Sequence, residues 1–240
     1  LKEQYPMTNR EKEIYRTLRT NIEFSGIENQ VIAITSCTPN DGKSTVSYYL
    51  ASALAESGKR TLIIDADLRK SVFMQRFQID KKLNGLSHFL SGQLGIDEVI
   101  YSSNKDKLYI LPSGVFPSNP TELLGNGRMK KLIPALKESF DYVIIDTPPL
   151  GSVIDAAVIS KNCDASMLIL SYDTSSKTEA KKVAEQLKAA NSNFLGVVIN
   201  KADVKTRGYY KKYNGYYKKY YRKYYGKYDG GGGENQAQEK

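Results

Sequence analysis

The stretch Val31 to Thr45, VIAITSCTPNDGKST, constrains this chain more than any other. Val31, Ile32, Ala33 and Ile34 form a short, mostly β-branched run that reads as a buried strand. Pro39, Asn40, Asp41 and Gly42 then turn the chain into a helix expected from Ser44 to about Ser57. A Gly-containing loop that enters a helix aims unpaired backbone N–H groups at one point, where the helix dipole also favours an anion. Asn40, Asp41, Gly42, Lys43, Ser44 and Thr45 are therefore the expected nucleotide-phosphate cradle. Lys43 would neutralise the β- and γ-phosphates, and the Ser44 hydroxyl would take a site on Mg²⁺. The usual pattern has a further glycine where this chain has Cys37. The strand before the loop and the helix after it carry the reading despite that departure.

A length of 240 residues suits one α/β domain with an appendage. No apolar run approaches the 18 or so residues of a membrane span, and no signal peptide is evident, so a cytoplasmic protein is expected. Cys37 and Cys163 form no CxxC pair and fit a reducing compartment. His88 is the only histidine, which leaves His-based metal sites and triads poorly supplied. Nine Lys/Arg and no Asp/Glu lie between Lys205 and Lys227. That equals the net charge of +9, so the rest of the chain is formally neutral.

Thr8 and Glu11 are spaced as a capping box that opens a helix over about residues 9–24. Ile14, Leu18 and Ile22 form its apolar stripe, while Glu13, Arg16, Arg19 and Glu23 gather elsewhere. The charged residues fit a solvated face. Glu13, Arg16 and Arg19 also present a carboxylate and two guanidinium forks in a row that can pair with a neighbouring subunit. Gly58 ends the second helix, and TLIIDAD follows as a strand. If the chain stays extended, Asp65 and Asp67 face the same side, where they would bind Mg²⁺ directly or through water, and one of them would accept a proton. Arg69 is placed to contact phosphate or pair with an aspartate.

Residues 83–100 read as one or two short helices broken near Gly92 and Gly95, and 108–111 as a short strand. A proline-rich loop then leads to a helix start at Thr121. Residues 127–140 look helical, with Pro134 set against their continuity. YVIID, residues 142–146, is a strand ending in Asp146, a candidate for holding Mg²⁺ through water. Strands over 167–171 and 195–199, with a helix over about 176–190 between them, bring the strand candidates to at least six. The alternation predicts a doubly wound, mostly parallel sheet of P-loop type with helices on both faces. The ligand belongs at the C-terminal strand ends, where Lys43, Asp65, Asp67 and Asp146 all fall. Asn200 opens NKAD after the last strand. It is a candidate base reader, for guanine by the NKxD pattern or for adenine through its amide. Asp146 begins DTPP and not DxxG, which argues against a GTPase switch.

From about residue 206 to 240 the apolar periodicity stops and a disordered tail is expected, separate from a domain over 1–205. Ten of the 18 tyrosines lie there: Tyr209, Tyr210, Tyr213, Tyr216, Tyr217, Tyr220, Tyr221, Tyr224, Tyr225 and Tyr228. Basic and aromatic residues together can stack on single-stranded nucleic acid or approach anionic lipid. Alternatively the tyrosines are substrates, since each phosphorylation adds about −1.5 to −2 charges against the basic excess.

Taken together, the loop TSCTPNDGKST, the segment TLIIDADLRKS, the strand YVIIDTPP, the helix EIYRTLRTN and the tyrosine cluster resemble the bacterial tyrosine kinases of capsular and exopolysaccharide synthesis, relatives of the MinD and ParA ATPases. The second loop lysine of the MinD/ParA branch would fall at Thr38. The resemblance implies an ATP- and Mg²⁺-dependent kinase with Lys43 on the phosphates and Ser44, Asp146 and Asp67 about the metal. Asp65 would be the base toward a tyrosine hydroxyl, with Asp67 sharing metal or base duty. It implies a ring-like homo-oligomer through Glu13, Arg16 and Arg19, and phosphorylation of the tail by a neighbouring subunit. It also implies a transmembrane polysaccharide co-polymerase as activating adaptor at the inner face of the membrane, a cognate tyrosine phosphatase and other protein substrates; nucleic acid is not an expected partner. The chain begins at Leu1, which fits a separate cytoplasmic kinase, a domain cut from a longer chain or a domain with a few adaptor residues, and the first is expected. The alternative is a MinD/ParA-like ATPase switch without tyrosine phosphorylation.

Overall fold

The computed structural model describes residues 7–76, 83–172, 176–190 and 193–202. The tyrosine tail from residue 203 onward, with all ten candidate phosphoacceptors, lies outside them. In chain order the elements are α1 (Asn9–Glu23), β1 (Val31–Ser36), α2 (Lys43–Glu56), β2 (Thr61–Asp65), α3 (Phe73–Arg76), α4 (Leu86–Leu90), a 3₁₀ turn (Ile96–Glu98), β3 (Tyr101–Ser102), β4 (Leu108–Leu111), α5 (Pro120–Leu124), α6 (Gly127–Ser139), β5 (Tyr142–Asp146), α7 (Asp155–Ser160), β6 (Ala165–Ser171), α8 (Lys177–Ala189) and β7 (Asn193–Asn200). The seven strands form one sheet in the order β3-β4-β2-β5-β1-β6-β7. All neighbours are parallel except the two-residue edge strand β3, which runs antiparallel to β4. The expected doubly wound sheet is present; β3 adds a seventh strand too short to show a period.

β1 and β2 are buried throughout, and β5 from its second residue, as expected for central parallel strands covered on both faces. One face packs Val31, Leu62, Ile64, Val143 and Ile145 under α4 to α7, and the other packs Ile32, Ile34, Ile63 and Ile144 under α1 and α2. α2 is buried on nearly every side, because α1 lies over it through the rings of Tyr15 and Tyr49, 5.2 Å apart. The register places Asp65 directly beside Asp146 at the ends of neighbouring strands. Two acidic groups 81 residues apart in sequence are thereby brought to one edge of the sheet.

At the N-terminus the capping box forms as the spacing predicts: the Glu11 N–H donates to the Thr8 hydroxyl, and the Thr8 N–H donates to the Glu11 carboxylate at 2.8 Å. The charged row on α1 divides. Glu13 and Arg16 are exposed and paired at 3.4 Å. Arg19 is turned inward, its Nη1 donating to the Ala53 carbonyl in the last turn of α2 at 3.2 Å, a favourable place for a cation beside a helix C-terminus. β2 stops at Asp65, so Asp67 is reached after the chain has left the strand, its N–H 3.3 Å from Asp65 Oδ1.

α6 runs unbroken through Pro134. Pro134 sits on the exposed side of the helix, so the Lys130 carbonyl that loses its N–H partner is on the side where water can replace it. We predict that Pro134→Ala restores that hydrogen bond and raises stability by about 1–3 kcal/mol, read as a higher urea midpoint with an unchanged m-value. A loss of stability would show that α6 depends on the proline.

Candidate functional site

The loop between β1 and α2 is held open by its own side chains. The Asp41 carboxylate accepts from the Thr38 N–H (2.9 Å) and the Thr38 hydroxyl (3.0 Å), so at this position the loop offers a ligand its backbone and not its carboxylate. Asn40 and Gly42 have left-handed backbones, φ 69° and 92°. Of the four helices of 13 or more residues among the described residues, α1, α6 and α8 have side-chain caps, whereas α2 begins after Gly42 without one. A helix start without a side-chain cap suits an anion, the arrangement expected of a phosphate cradle.

Around the mouth of this loop lie one lysine and three aspartates. Lys43 Nζ is 3.5 Å from Asp67 Oδ2 and 3.5 Å from the Ser44 hydroxyl. Asp65, Asp67 and Asp146 are 1, 6 and 1% exposed. The Ser47 hydroxyl lies 3.2 Å from Asp146 Oδ1, and Ser44 also hydrogen-bonds that carboxylate. Asp65 accepts hydrogen bonds from the hydroxyls of Ser71 and Ser113. Burial pulls the Lys43 ammonium toward its neutral form, but Asp146, Asp67 and Asp65 outweigh it and its pKa ends above the ordinary lysine value. Burial drives Asp146 above the usual carboxylate range, and Lys43, Ser44 and Ser47 only partly offset it. Asp65 is pushed up to about 7, first by burial and then by Asp146, against the two serine hydrogen bonds.

A single buried ammonium thus faces three buried carboxyl groups, two of them pushed by burial toward the neutral form because one ammonium cannot balance all three as carboxylates. A divalent cation fits this deficit. Among the described residues no group of three His, Cys, Asp or Glu forms a ready cage; Mg²⁺ in general keeps waters and phosphate oxygens and takes only one or two protein ligands. The structure brings Lys43, Ser44, Asp65, Asp67 and Asp146 together. It sets Asn200 against the loop, its Nδ2 donating to the Asp41 carbonyl at 2.8 Å.

Several supporting residues escaped the sequence reading. Ser113 follows β4, and since β4 lies next to β2 it reaches Asp65 by adjacency that sequence order conceals. Asp155, fully buried, grips Arg69 with two hydrogen bonds of 2.7 and 3.1 Å and accepts a third from Thr121 at 2.6 Å. Arg69 therefore takes the aspartate-pairing option. The N–H groups of Arg69 and Lys70 lie 3.3 and 3.0 Å from Asp67 Oδ1, so the clamp on Asp155 also steadies the turn that orients Asp67.

Residues 29–200 match the family model described as AAA domain. The chain is 43% identical over 204 residues to the tyrosine-protein kinase CpsD of Streptococcus agalactiae, across 84% of this chain and 89% of that protein. It superposes on the kinase domain of the Escherichia coli tyrosine kinase ETK with a TM-score of 0.74 at 34% identity, covering 80% of this chain and 78% of that one. A more distant likeness, TM-score 0.62 at 27% identity over 71% of this chain and 69% of the other, is to the septum site-determining protein MinD of Pyrococcus horikoshii complexed with Mg-ADP.

The folded chain keeps a proton on Asp65 that the unfolded chain has released between about pH 4 and pH 7. The folded state binds more protons in that window, so the nucleotide-free protein should lose stability as pH rises through it. Urea midpoints measured from pH 5 to pH 8 should fall in the wild type and fall less in Asp65→Asn. Equal slopes would place the buried proton elsewhere.

Proposed function

The chain belongs to the bacterial tyrosine-protein kinase family, and from that premise we propose how its site moves a phosphoryl group and where the group goes. The observation that carries the reading is the Lys43 ammonium among Asp65, Asp67 and Asp146 at the mouth of the loop. In the proposed reaction the backbone of Asn40 to Thr45 and the Lys43 ammonium bind the phosphates of ATP. Ser44, Asp146 and Asp67 are the residues that would hold Mg²⁺. When bound, the metal supplies charge neutralisation at the β- and γ-phosphates.

A tyrosine hydroxyl, pKa about 10, is a weak nucleophile at neutral pH. Asp65, with its carboxyl raised to about 7, is suited to accept that proton as the new bond forms. The phenolic oxygen bonds to the γ-phosphorus, the bridge to the β-phosphate breaks, and ADP leaves with the electron pair. Positioning and charge neutralisation supply most of the rate. Ser71 and Ser113 hold the base in place, and the Asp155–Arg69 clamp steadies Asp67.

The acceptors we propose are the tail tyrosines between Tyr209 and Tyr228, modified by a neighbouring copy in a ring-like oligomer that uses the exposed Glu13 and Arg16, with Arg19 joining them only if it leaves the Ala53 carbonyl. Residues 1–205 would act as the kinase domain and 206–240 as its substrate segment. We place the protein in control of capsular or exopolysaccharide chain synthesis and export, at the inner face of the membrane. It would be activated by a transmembrane co-polymerase and reversed by a tyrosine phosphatase, with other proteins as further substrates. Among the described residues no helix is long and apolar enough to cross a membrane.

Intact-mass and peptide mapping after incubation with Mg²⁺ and ATP, with the cytoplasmic segment of a cognate adaptor supplied, tests this. Wild type should gain successive phosphates on Tyr209 to Tyr228, and Lys43→Met should slow their appearance by about 10²-fold or more. Hydrolysis of ATP with those tyrosines left bare would replace the kinase reading with that of an ATPase switch.

A further inference from the structure

The end of β7 touches the loop between β1 and α2 with two side chains. Asn200 Nδ2 donates to the Asp41 carbonyl at 2.8 Å, and Lys201 Nζ donates to the Asn40 carbonyl at 2.6 Å. Both ends of the Lys201 bond are in backbone conformations uncommon outside glycine, φ 58° at Lys201 and 69° at Asn40. Gly42 is part of the same contact, since a Cβ there would lie 2.0 Å from Asn200 Nδ2.

A trans peptide is planar, and the carbonyl of one residue points opposite to the N–H of the next. A donor fixed on the Asn40 carbonyl therefore aims the Asp41 N–H away from β7, and a donor on the Asp41 carbonyl does the same for the Gly42 N–H. Those two N–H groups lie in the turn expected to face phosphate. We propose that Asn200 and Lys201 are positioning residues. They hold the Asn40 and Asp41 carbonyls, so that the loop is set for phosphate before nucleotide arrives, and Asn200 acts on the loop rather than reading the base. The cation at Lys201 strengthens its bond relative to a neutral donor, and pre-setting the loop removes an ordering cost from binding.

This inference rests on the nucleotide-phosphate reading of the loop, and the test separates the two. Affinities for Mg²⁺-ATP, Mg²⁺-GTP and Mg²⁺-tripolyphosphate, which has no base, are measured by titration calorimetry on wild type, Asn200→Asp, Lys201→Met and Lys201→Arg. Asn200→Asp keeps the shape and removes the donor. Lys201→Met removes an exposed charge at little risk to folding. Each should weaken all three ligands by a similar factor, about fivefold to tenfold, with the ATP-to-GTP ratio unchanged and Lys201→Arg recovering most of the loss. Loss confined to the nucleotides, with tripolyphosphate unaffected and the ATP-to-GTP ratio altered, would make Asn200 a base reader and overturn the proposal. Unchanged affinity, or a gain showing that the pair obstructs the loop, would overturn it too. Wild type that bound none of the three would remove the phosphate reading itself and this inference with it.

Discussion

One buried ammonium set against three buried carboxyl groups is the constraint on which the rest of this structure depends. Lys43 is drawn to Asp67 at 3.5 Å and feels Asp146 and Asp65 as well. Charges withdrawn from water carry a desolvation cost, recovered only through close partners and hydrogen bonds. Lys43 has enough partners to stay charged. Asp65 and Asp146 do not, and burial drives both toward their protonated forms. A site in this condition is suited to receive a cation beside the carboxyl groups, while the Lys43 ammonium answers the phosphates.

The fold exists around that arrangement. Parallel strands deliver their C-terminal ends to one edge, so the loop after β1 and the acids ending β2 and β5 arrive together. The apolar layers on both faces keep water out and the strand ends fixed. A second ring of contacts sets the orientation of the charged groups: Ser71 and Ser113 on Asp65, Ser44 and Ser47 on Asp146, and the turn held by Arg69 and Asp155 on Asp67. Asp65, Asp146 and Asp155 are buried, so the hydrogen bonds made to them act where the dielectric is low and have more leverage, although Arg69 itself is exposed.

Much of this was legible in the chain because its strongest signals are local. The β-branched run before PNDGKST, the capping box at Thr8 and Glu11, and the acids closing TLIID and YVIID each announce their element within a few residues. The parts that were not legible are those decided by which distant segments meet. β3 has two residues and α7 six, too few for a period to show. Asp155 belongs to Arg69, 86 residues away, and Lys201 to Asn40, 161 away. Arg19 has the spacing of Arg16 before it, yet the approach of α2 turns it toward the Ala53 carbonyl. Pro134 argued for a break, but the exposed side of α6 tolerates it.

The measurement closest to the central claim is the affinity for ADP with saturating Mg²⁺ and with Mg²⁺ chelated, in wild type and in Asp146→Asn. Should the unbalanced carboxyl groups be what the metal answers, wild type will bind ADP poorly without Mg²⁺ and much more tightly with it. Asp146→Asn, with one carboxylate fewer, will bind metal-free ADP more tightly than wild type does and gain less from Mg²⁺. An equal gain from Mg²⁺ in both proteins, with metal-free binding unimproved in the variant, would contradict the account.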